Sequence, residues 1–143
     1  MENIREKIKE KVKNYFKGKK EVTAAYLYGS YAKGTEKKDS DIDLALLFSK
    51  NQEDHLSFRI KYQEELSGIL KNEVEIQDLN ITSINFAKRV LDEGILIIDN
   101  NSSERVVFEV NLFNNYFDML PFYVDYYENL KNRALKGEFN ARY

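Results

Sequence analysis

The spacing of apolar residues predicts one amphipathic helix at the start of the chain and four strands after it. Over residues 3–17 an apolar residue recurs at every fourth position, which gives a buried stripe of Ile4, Ile8, Val12 and Phe16. Short apolar or alternating runs at 22–28, 41–48, 73–80 and 95–98 have the length and pattern of strands. Together they predict an α/β domain (α+β in some schemes), in which helices back one face of a small mixed sheet and a binding site is open on the other.

Helical spacing occupies most of the remaining chain. A short helix is expected around residues 31–33, a longer one over 52–70 and another over 84–91. The apolar face of the 52–70 helix includes Leu56, Ile60, Leu66 and Leu70. His55 is the only histidine in the sequence and has no second ligand one turn away, so it is expected to be a surface or packing residue.

The last segment, from residue 102 to about 136, has a helical pattern that contains a proline. Pro121 is expected to kink or divide this helix. The apolar side before it consists of Val106, Val110, Phe113, Phe117 and Leu120. The aromatic-rich part after it consists of Phe122, Tyr123, Tyr126, Tyr127 and Leu130. This part either packs within the domain or forms a surface for self-association or for another protein, and the sequence leaves both interpretations open.

The composition narrows the class of protein. With 143 residues, of which 43% are hydrophobic, the sequence predicts one domain over 1–143, with a core at about 20–100 and a helical tail at about 102–137. A net charge of −2 gives no overall signal for nucleic acid, although the lysines within 17–20 form either a solvated face or a phosphate- or RNA-binding patch. The sequence has no cysteine, no apolar leader and no run of membrane length, which predicts a cytoplasmic protein.

The clearest candidate for chemistry is Asp41-Ile42-Asp43, at the start of the second predicted strand. Because side chains alternate along a strand, Asp41 and Asp43 share one face while Ile42 points to the core. Two like charges on one face repel each other unless a cation lies between them. Carboxylates at this spacing suit a hard ion such as Mg2+, which also binds substrate phosphates.

A phosphate-binding turn is expected at Gly29-Ser30, directly after the first predicted strand. Glycine permits a turn that other residues resist, and Ser30 is a good N-cap for a short helix whose free N–H groups can receive an anion. Lys33 lies just past the turn, where it either reaches a phosphate or stays in solvent. A phosphate turn followed by a carboxylate pair predicts binding of a nucleoside triphosphate with its magnesium.

A third carboxylate is expected on the predicted strand at 73–80. If Val74 faces the core, alternation puts Glu75 on the face of the two aspartates. Asp78 is the competitor, but it falls on the opposite face unless the strand ends before it. The remaining interpretation of Glu75 is a plain acid on a solvated sheet face.

The chain from residue 22 to 48 resembles the polymerase-beta-type nucleotidyltransferase superfamily. The residues that carry the resemblance are Gly29-Ser30, a ten-residue interval, and Asp41-Ile42-Asp43. The wider patterns Tyr-Gly-Ser-Tyr-Ala-Lys-Gly-Thr and Ser-Asp-Ile-Asp-Leu are similar to those of the minimal nucleotidyltransferases, the antitoxin partners of HEPN-domain toxins. The resemblance is looser over 73–99 and only suggestive for the tail. The family usually has aspartate as the third carboxylate, so Glu75 departs from it by one methylene.

This resemblance implies transfer of AMP from ATP to a tyrosine of a HEPN ribonuclease toxin, which would make the chain an antitoxin. The nucleotide would be bound by Gly29, Ser30 and Lys33, and two Mg2+ ions by Asp41, Asp43 and Glu75, with Glu75 also accepting the proton of the attacking hydroxyl. One alternative is an antitoxin that acts by stoichiometric binding without catalysis. Another is a nucleotidyltransferase for small molecules, like the aminoglycoside enzymes. The sequence leaves open the acceptor, the nucleotide preference and the oligomeric state.

Overall fold

The computed structural model describes residues 3–137, in which helices and strands alternate along the chain. Their bounds are α1 (Ile4–Phe16), β1 (Val22–Tyr28), α2 (Ser30–Lys33), β2 (Ile42–Phe48), α3 (His55–Leu70), β3 (Val74–Asp78), α4 (Ile84–Glu93), β4 (Ile95–Asp99) and α5 (Ser102–Leu135). The largest difference from the predicted bounds is the start of α3, because Asp54 caps this helix by accepting a hydrogen bond from the Ser57 backbone N–H. None of the helices within residues 3–137 combines the length and hydrophobicity needed to span a membrane.

The strands form one four-stranded mixed sheet in the order β3-β2-β1-β4. Strand β1 is antiparallel to both β2 and β4, whereas β2 and β3 are parallel. A parallel pair needs a crossover connection, and α3 supplies it. The order puts β1 and β2 in the middle of the sheet, where nearly every residue is buried.

Helices cover both faces of the sheet, and the prediction of helices on one face only was wrong. On the first face, β2 packs against α1 and α3 through Leu44, Phe16 and Tyr62. On the second face, Ala45 lies in a separate cluster with Val90 of α4 and Leu112 of α5. The reason is visible in the sequence, because β1 and β2 are apolar at successive positions rather than at alternate ones, as is typical of strands buried on both sides.

Two helical stripes also differ from their predictions. Ile8, Val12 and Phe16 of α1 are buried as expected, but Ile4 is 52% exposed. In α3 the buried residues are Tyr62 and Leu66, whereas Leu56 and Ile60, assigned to the apolar face, are exposed. Helical spacing identifies apolar residues on a helix, but the neighbours available to cover them decide which of these residues are buried.

The C-terminal helix α5 is continuous from Ser102 to Leu135 and is not divided at Pro121. Its predicted apolar side is largely exposed, and Leu112 is its one buried residue among those described. Beyond the domain core the helix carries five aromatic residues that we call the distal surface: Phe117, Phe122, Tyr123, Tyr126 and Tyr127. Four of them are 58–68% exposed, and Tyr123 is partly exposed. The structure therefore favours a surface for another chain over packing within the domain.

The base of α5 is fixed by Asn100, two residues before the helix begins. The side-chain Nδ2 of Asn100 lies 3.0 Å from the carbonyl oxygen of Phe16 and 3.0 Å from that of Val22, and donates to both. It also lies 3.2 Å from the carbonyl oxygen of Lys19. One amide group therefore joins the start of α5 to the end of α1 and the beginning of β1.

Candidate active site

Asp41 and Asp43 flank the first residue of β2. Ile42 is buried on the face covered by α1 and α3, so the side chain of Asp43 points to the opposite face. Asp41 is exposed just before the strand, and Asp43 is partly buried one position inside it. The arrangement agrees with the alternation expected from the sequence.

Glu75 lies beside Asp43 on the neighbouring strand. The two residues are direct register partners of the parallel pair β2–β3, and they point to the same face. Asp78 faces the other side, where it is 2% exposed. Its Oδ2 lies 2.6 Å from Nδ1 of His55, whose ring stacks on Phe48. The structure therefore brings Glu75, and not Asp78, to the two aspartates, and it gives His55 a packing role.

The three carboxylates repel one another. The pKa of Asp43 is raised by burial of its carboxyl group and then by the negative charges of Glu75 and Asp41. A bound cation would relieve this repulsion, so the donor set fits a hard ion. Within residues 3–137, however, no three acidic or histidine side chains converge into a ready metal cage. The arrangement suits Mg2+, which commonly takes one or two carboxylates and completes its coordination with water and substrate phosphate.

Gly29 forms the turn beside these carboxylates. It has a φ of +77°, and a Cβ added here would collide with the carboxylate of Asp43. The register agrees, since Tyr28 is the partner of Asp43 in the β1–β2 pair. Two separate reasons therefore require glycine at this position: the positive φ of the backbone and the close approach of the aspartate.

Ser30 was predicted as the N-cap of the short helix, and this was wrong because Gly29 holds the cap position. Ser30 is instead the first residue of α2, and the first N–H that bonds inside the helix is that of Lys33, which donates to the Gly29 carbonyl oxygen at 3.1 Å. The N–H groups of the preceding turn have no acceptor within the helix. They remain candidates for an anion, as the sequence predicted.

Lys33, at the end of α2, is tied to the neighbouring helix. Its Nζ lies 3.2 Å from Oε2 of Glu93 on α4, and both side chains are about half exposed. The ammonium group is thus close to the turn but shared with an acid. An exposed pair of this kind contributes little to stability, so a stronger anion can displace it.

Three residues to which the sequence analysis gave no role in the site contact one another beside the carboxylates: Tyr28, Phe86 and Arg89. The Tyr28 ring meets the Phe86 ring edge to face, with centroids 5.4 Å apart. The guanidinium carbon of Arg89 lies 5.7 Å from the centroid of Phe86. Burial and the charges of Asp43 and Glu75 raise the pKa of the Tyr28 hydroxyl, while Arg89 acts in the opposite direction. Tyr28 precedes the glycine turn in the sequence, whereas the only signal for Phe86 and Arg89 was their three-residue spacing on a predicted helix.

The glycine turn and the strand-borne carboxylates define a nucleotidyltransferase fold, and comparison with known families agrees. Residues 10–103 match the family model described as polymerase beta, nucleotidyltransferase. The chain therefore belongs to this family.

The chain is also similar to particular members. It is 33% identical over 69 residues to the protein adenylyltransferase MntA of Shewanella oneidensis, and this match spans about half (48%) of each chain. The fold is similar to that in a crystal structure of a toxin–antitoxin with AMP-PNP, with a TM-score of 0.70, 21% identity and coverage of 86% of this chain and 98% of that one. It is also similar to a chain of the tri-AMPylated Shewanella oneidensis HEPN toxin in complex with MNT antitoxin, with a TM-score of 0.67, 18% identity and coverage of 89% and 98%.

Proposed function

We propose that this chain is an antitoxin that transfers AMP from ATP to a tyrosine of a HEPN ribonuclease toxin. The observation that carries the proposal is the meeting of Asp43, Glu75 and Gly29 at one end of the sheet. Membership of the nucleotidyltransferase family and similarity to a protein adenylyltransferase support it. A reaction that consumes ATP suits the cytoplasm, where we expect the protein to act.

In this proposal the turn binds the nucleotide. Gly29 leaves room for a phosphate next to the carboxylates, and the free N–H groups at the start of α2 donate to its oxygens. Asp41, Asp43 and Glu75 would hold Mg2+, which supplies positive charge to the phosphate oxygens. Lys33 contributes a further positive charge once it leaves Glu93.

The reaction is an in-line displacement at the α-phosphorus of ATP. The tyrosine oxygen forms a bond to this phosphorus, and the bond to the bridging oxygen of the β-phosphate breaks. Pyrophosphate leaves with the electron pair of that bond. Glu75, which is exposed on the Asp43 face of β3, accepts the phenolic proton.

We place the toxin on the distal surface of α5. Tyrosine and phenylalanine are enriched in the cores of protein interfaces, and four of the five aromatic residues of this surface are more than half exposed. Exposed aromatic residues grouped along one stretch of helix are typical of surfaces that bind another protein.

The test uses ATP labelled at the α-phosphate, Mg2+ and the protein encoded next to this chain. We expect the label on a tyrosine of that protein, and no label when γ-labelled ATP replaces it. If an aminoglycoside added to the reaction is labelled and the protein is not, the result would instead favour a nucleotidyltransferase for small molecules.

The exposed distal surface also supports a second candidate, in which the chain neutralises its toxin by binding alone. Loss of ribonuclease activity at equimolar chain without ATP, and with no label transferred, would establish that function in place of adenylylation.

A further inference from the structure

Arg89 is a cation at the candidate active site that has no acidic partner among residues 3–137. It lies on the exposed side of α4, and no carboxylate of residues 3–137 comes within ion-pairing distance of it. By contrast, Lys88, its neighbour on the same helix, pairs with Asp92 at 2.5 Å. An arginine that stays unpaired beside a group of carboxylates is available to an anion.

A continuous chain of contacts connects Arg89 to the carboxylates. Its guanidinium lies over the Phe86 ring at 5.7 Å, the Phe86 ring meets that of Tyr28 at 5.4 Å, and Tyr28 is the strand partner of Asp43. Burial and the charges of Asp43 and Glu75 raise the pKa of the Tyr28 hydroxyl, and the positive charge of Arg89 lowers it, so these charges act on the same group.

A second cation lies along the same helix. Glu93 follows Arg89 by four residues, so the two side chains are neighbours one helical turn apart. Because Glu93 holds Lys33, the ammonium of Lys33 and the guanidinium of Arg89 both lie along this side of α4. Lys33 in turn belongs to the short helix that starts at the glycine turn. The two cations therefore lie on the same side of the candidate site, where α4 meets the short helix α2.

We propose that Arg89 binds the β- and γ-phosphates of ATP, held in place by Phe86. The inference rests on the proposed function and adds the group that recognises the polyphosphate. The carboxylates and the polyphosphate carry charge of the same sign, so a cation beyond the metal positions lowers the repulsion that a triphosphate meets here. The planar guanidinium can donate two parallel hydrogen bonds to a phosphate, which a lysine cannot do. Stacking on an aromatic ring orients it before the nucleotide arrives.

Binding measured without any acceptor protein tests the inference. Calorimetric titration of the full chain with AMP-PNP and Mg2+ would compare the wild type with Arg89→Gln and Arg89→Lys. We expect the Kd for AMP-PNP to rise about tenfold or more in Arg89→Gln, as for the loss of hydrogen bonds between charged groups, and less in Arg89→Lys. The Kd for AMP, which lacks the two terminal phosphates, should not change. In a direct titration the Kd for inorganic tripolyphosphate should also rise about tenfold in Arg89→Gln.

Arg59→Gln is the matched control, because Arg59 lies on α3 at the other face of the sheet. Its Kd values and its melting temperature should equal those of the wild type. An unchanged Kd for AMP-PNP in Arg89→Gln would overturn the inference and leave the proposed function intact. Equal losses of affinity for AMP and AMP-PNP would also overturn the inference, since Arg89 would then maintain the structure of the whole site rather than bind the terminal phosphates. If the wild type binds neither nucleotide, both the inference and the proposed function are wrong.

Discussion

Replacing Asp43 by asparagine is expected to stabilise the metal-free protein at neutral pH. The carboxylates of Asp43 and Glu75 belong to directly opposed residues of neighbouring strands, whose backbones are about 4.8 Å apart. Two unit charges about 6 Å apart repel by about 0.7 kcal/mol in water and by about 2.8 kcal/mol at an effective dielectric constant of about 20. Glu75 is exposed, so solvent screening puts the value near the lower limit. We expect a gain of about 1 kcal/mol, or roughly 3 °C in Tm for a chain of this size.

The pH dependence of this gain has a definite sign. The folded protein raises the pKa of Asp43, so its charged form destabilises the folded state at neutral pH. The destabilisation disappears as the pH falls through the raised pKa towards about 3.9, the value of an unperturbed aspartate. The advantage of Asp43→Asn should therefore shrink over the same interval, and high salt should also reduce it.

Thermal melts followed by circular dichroism, in EDTA at pH 7 and at decreasing pH, measure this effect. Asp118→Asn is the control, because Asp118 is an exposed acid on α5, and its melting temperature should stay close to that of the wild type. A variant at position 43 that melts below the wild type at pH 7 would refute the reasoning, because the carboxylate would then be part of a stabilising interaction. A gain that persists below pH 4 would refute it as well.

Four further variants test the site and the distal surface. Gly29→Val should abolish ATP binding in calorimetry, because a side chain here meets the neighbouring carboxylate; an unchanged Kd would exclude the turn from the nucleotide site. Glu75→Gln should slow AMP transfer roughly a hundredfold with little change in ATP affinity. Asp78→Asn should lower the free energy of unfolding by about 1–3 kcal/mol without slowing the folded enzyme. If Asp78→Asn slows transfer and Glu75→Gln does not, Asp78 is the third carboxylate of the site. The double variant Tyr123→Ser, Tyr127→Ser should bind the partner protein more weakly and keep the melting temperature of the wild type. If the double variant is unfolded instead, both tyrosines belong to the core.

The parts of the site that depend on backbone geometry could be predicted from the sequence. Alternation along a strand is strict, so the common face of Asp43 and Glu75 and the opposite placement of Asp78 followed from counting positions. The turn at Gly29 followed from residue type and context. None of these predictions needed knowledge of which element packs on which.

The parts that depend on packing between distant segments could not be predicted in this way. The exposure of Leu56, and the helices on the second face of the sheet, depend on which elements are near each other in the fold. Phe86 and Arg89 reach the site only because α4 crosses the end of β1, and no local pattern encodes that crossing. The error at Ser30 was of another kind, since the helix begins one residue earlier than predicted and Gly29 takes the cap position.

The anchoring of α5 at Asn100 has a consequence for how an acceptor would meet the carboxylates. The helix is continuous, and its part from Phe117 to Leu135 alone is about 28 Å long. A protein docked on that part stays attached while its loops search for the active site, so the encounter of tyrosine and nucleotide becomes intramolecular. Its effective concentration is then set by the length of the helix rather than by the amount of protein in the cell, and can reach the millimolar range. A site whose dissociation constant for a free tyrosine side chain is only about 0.1 mM would then work near saturation.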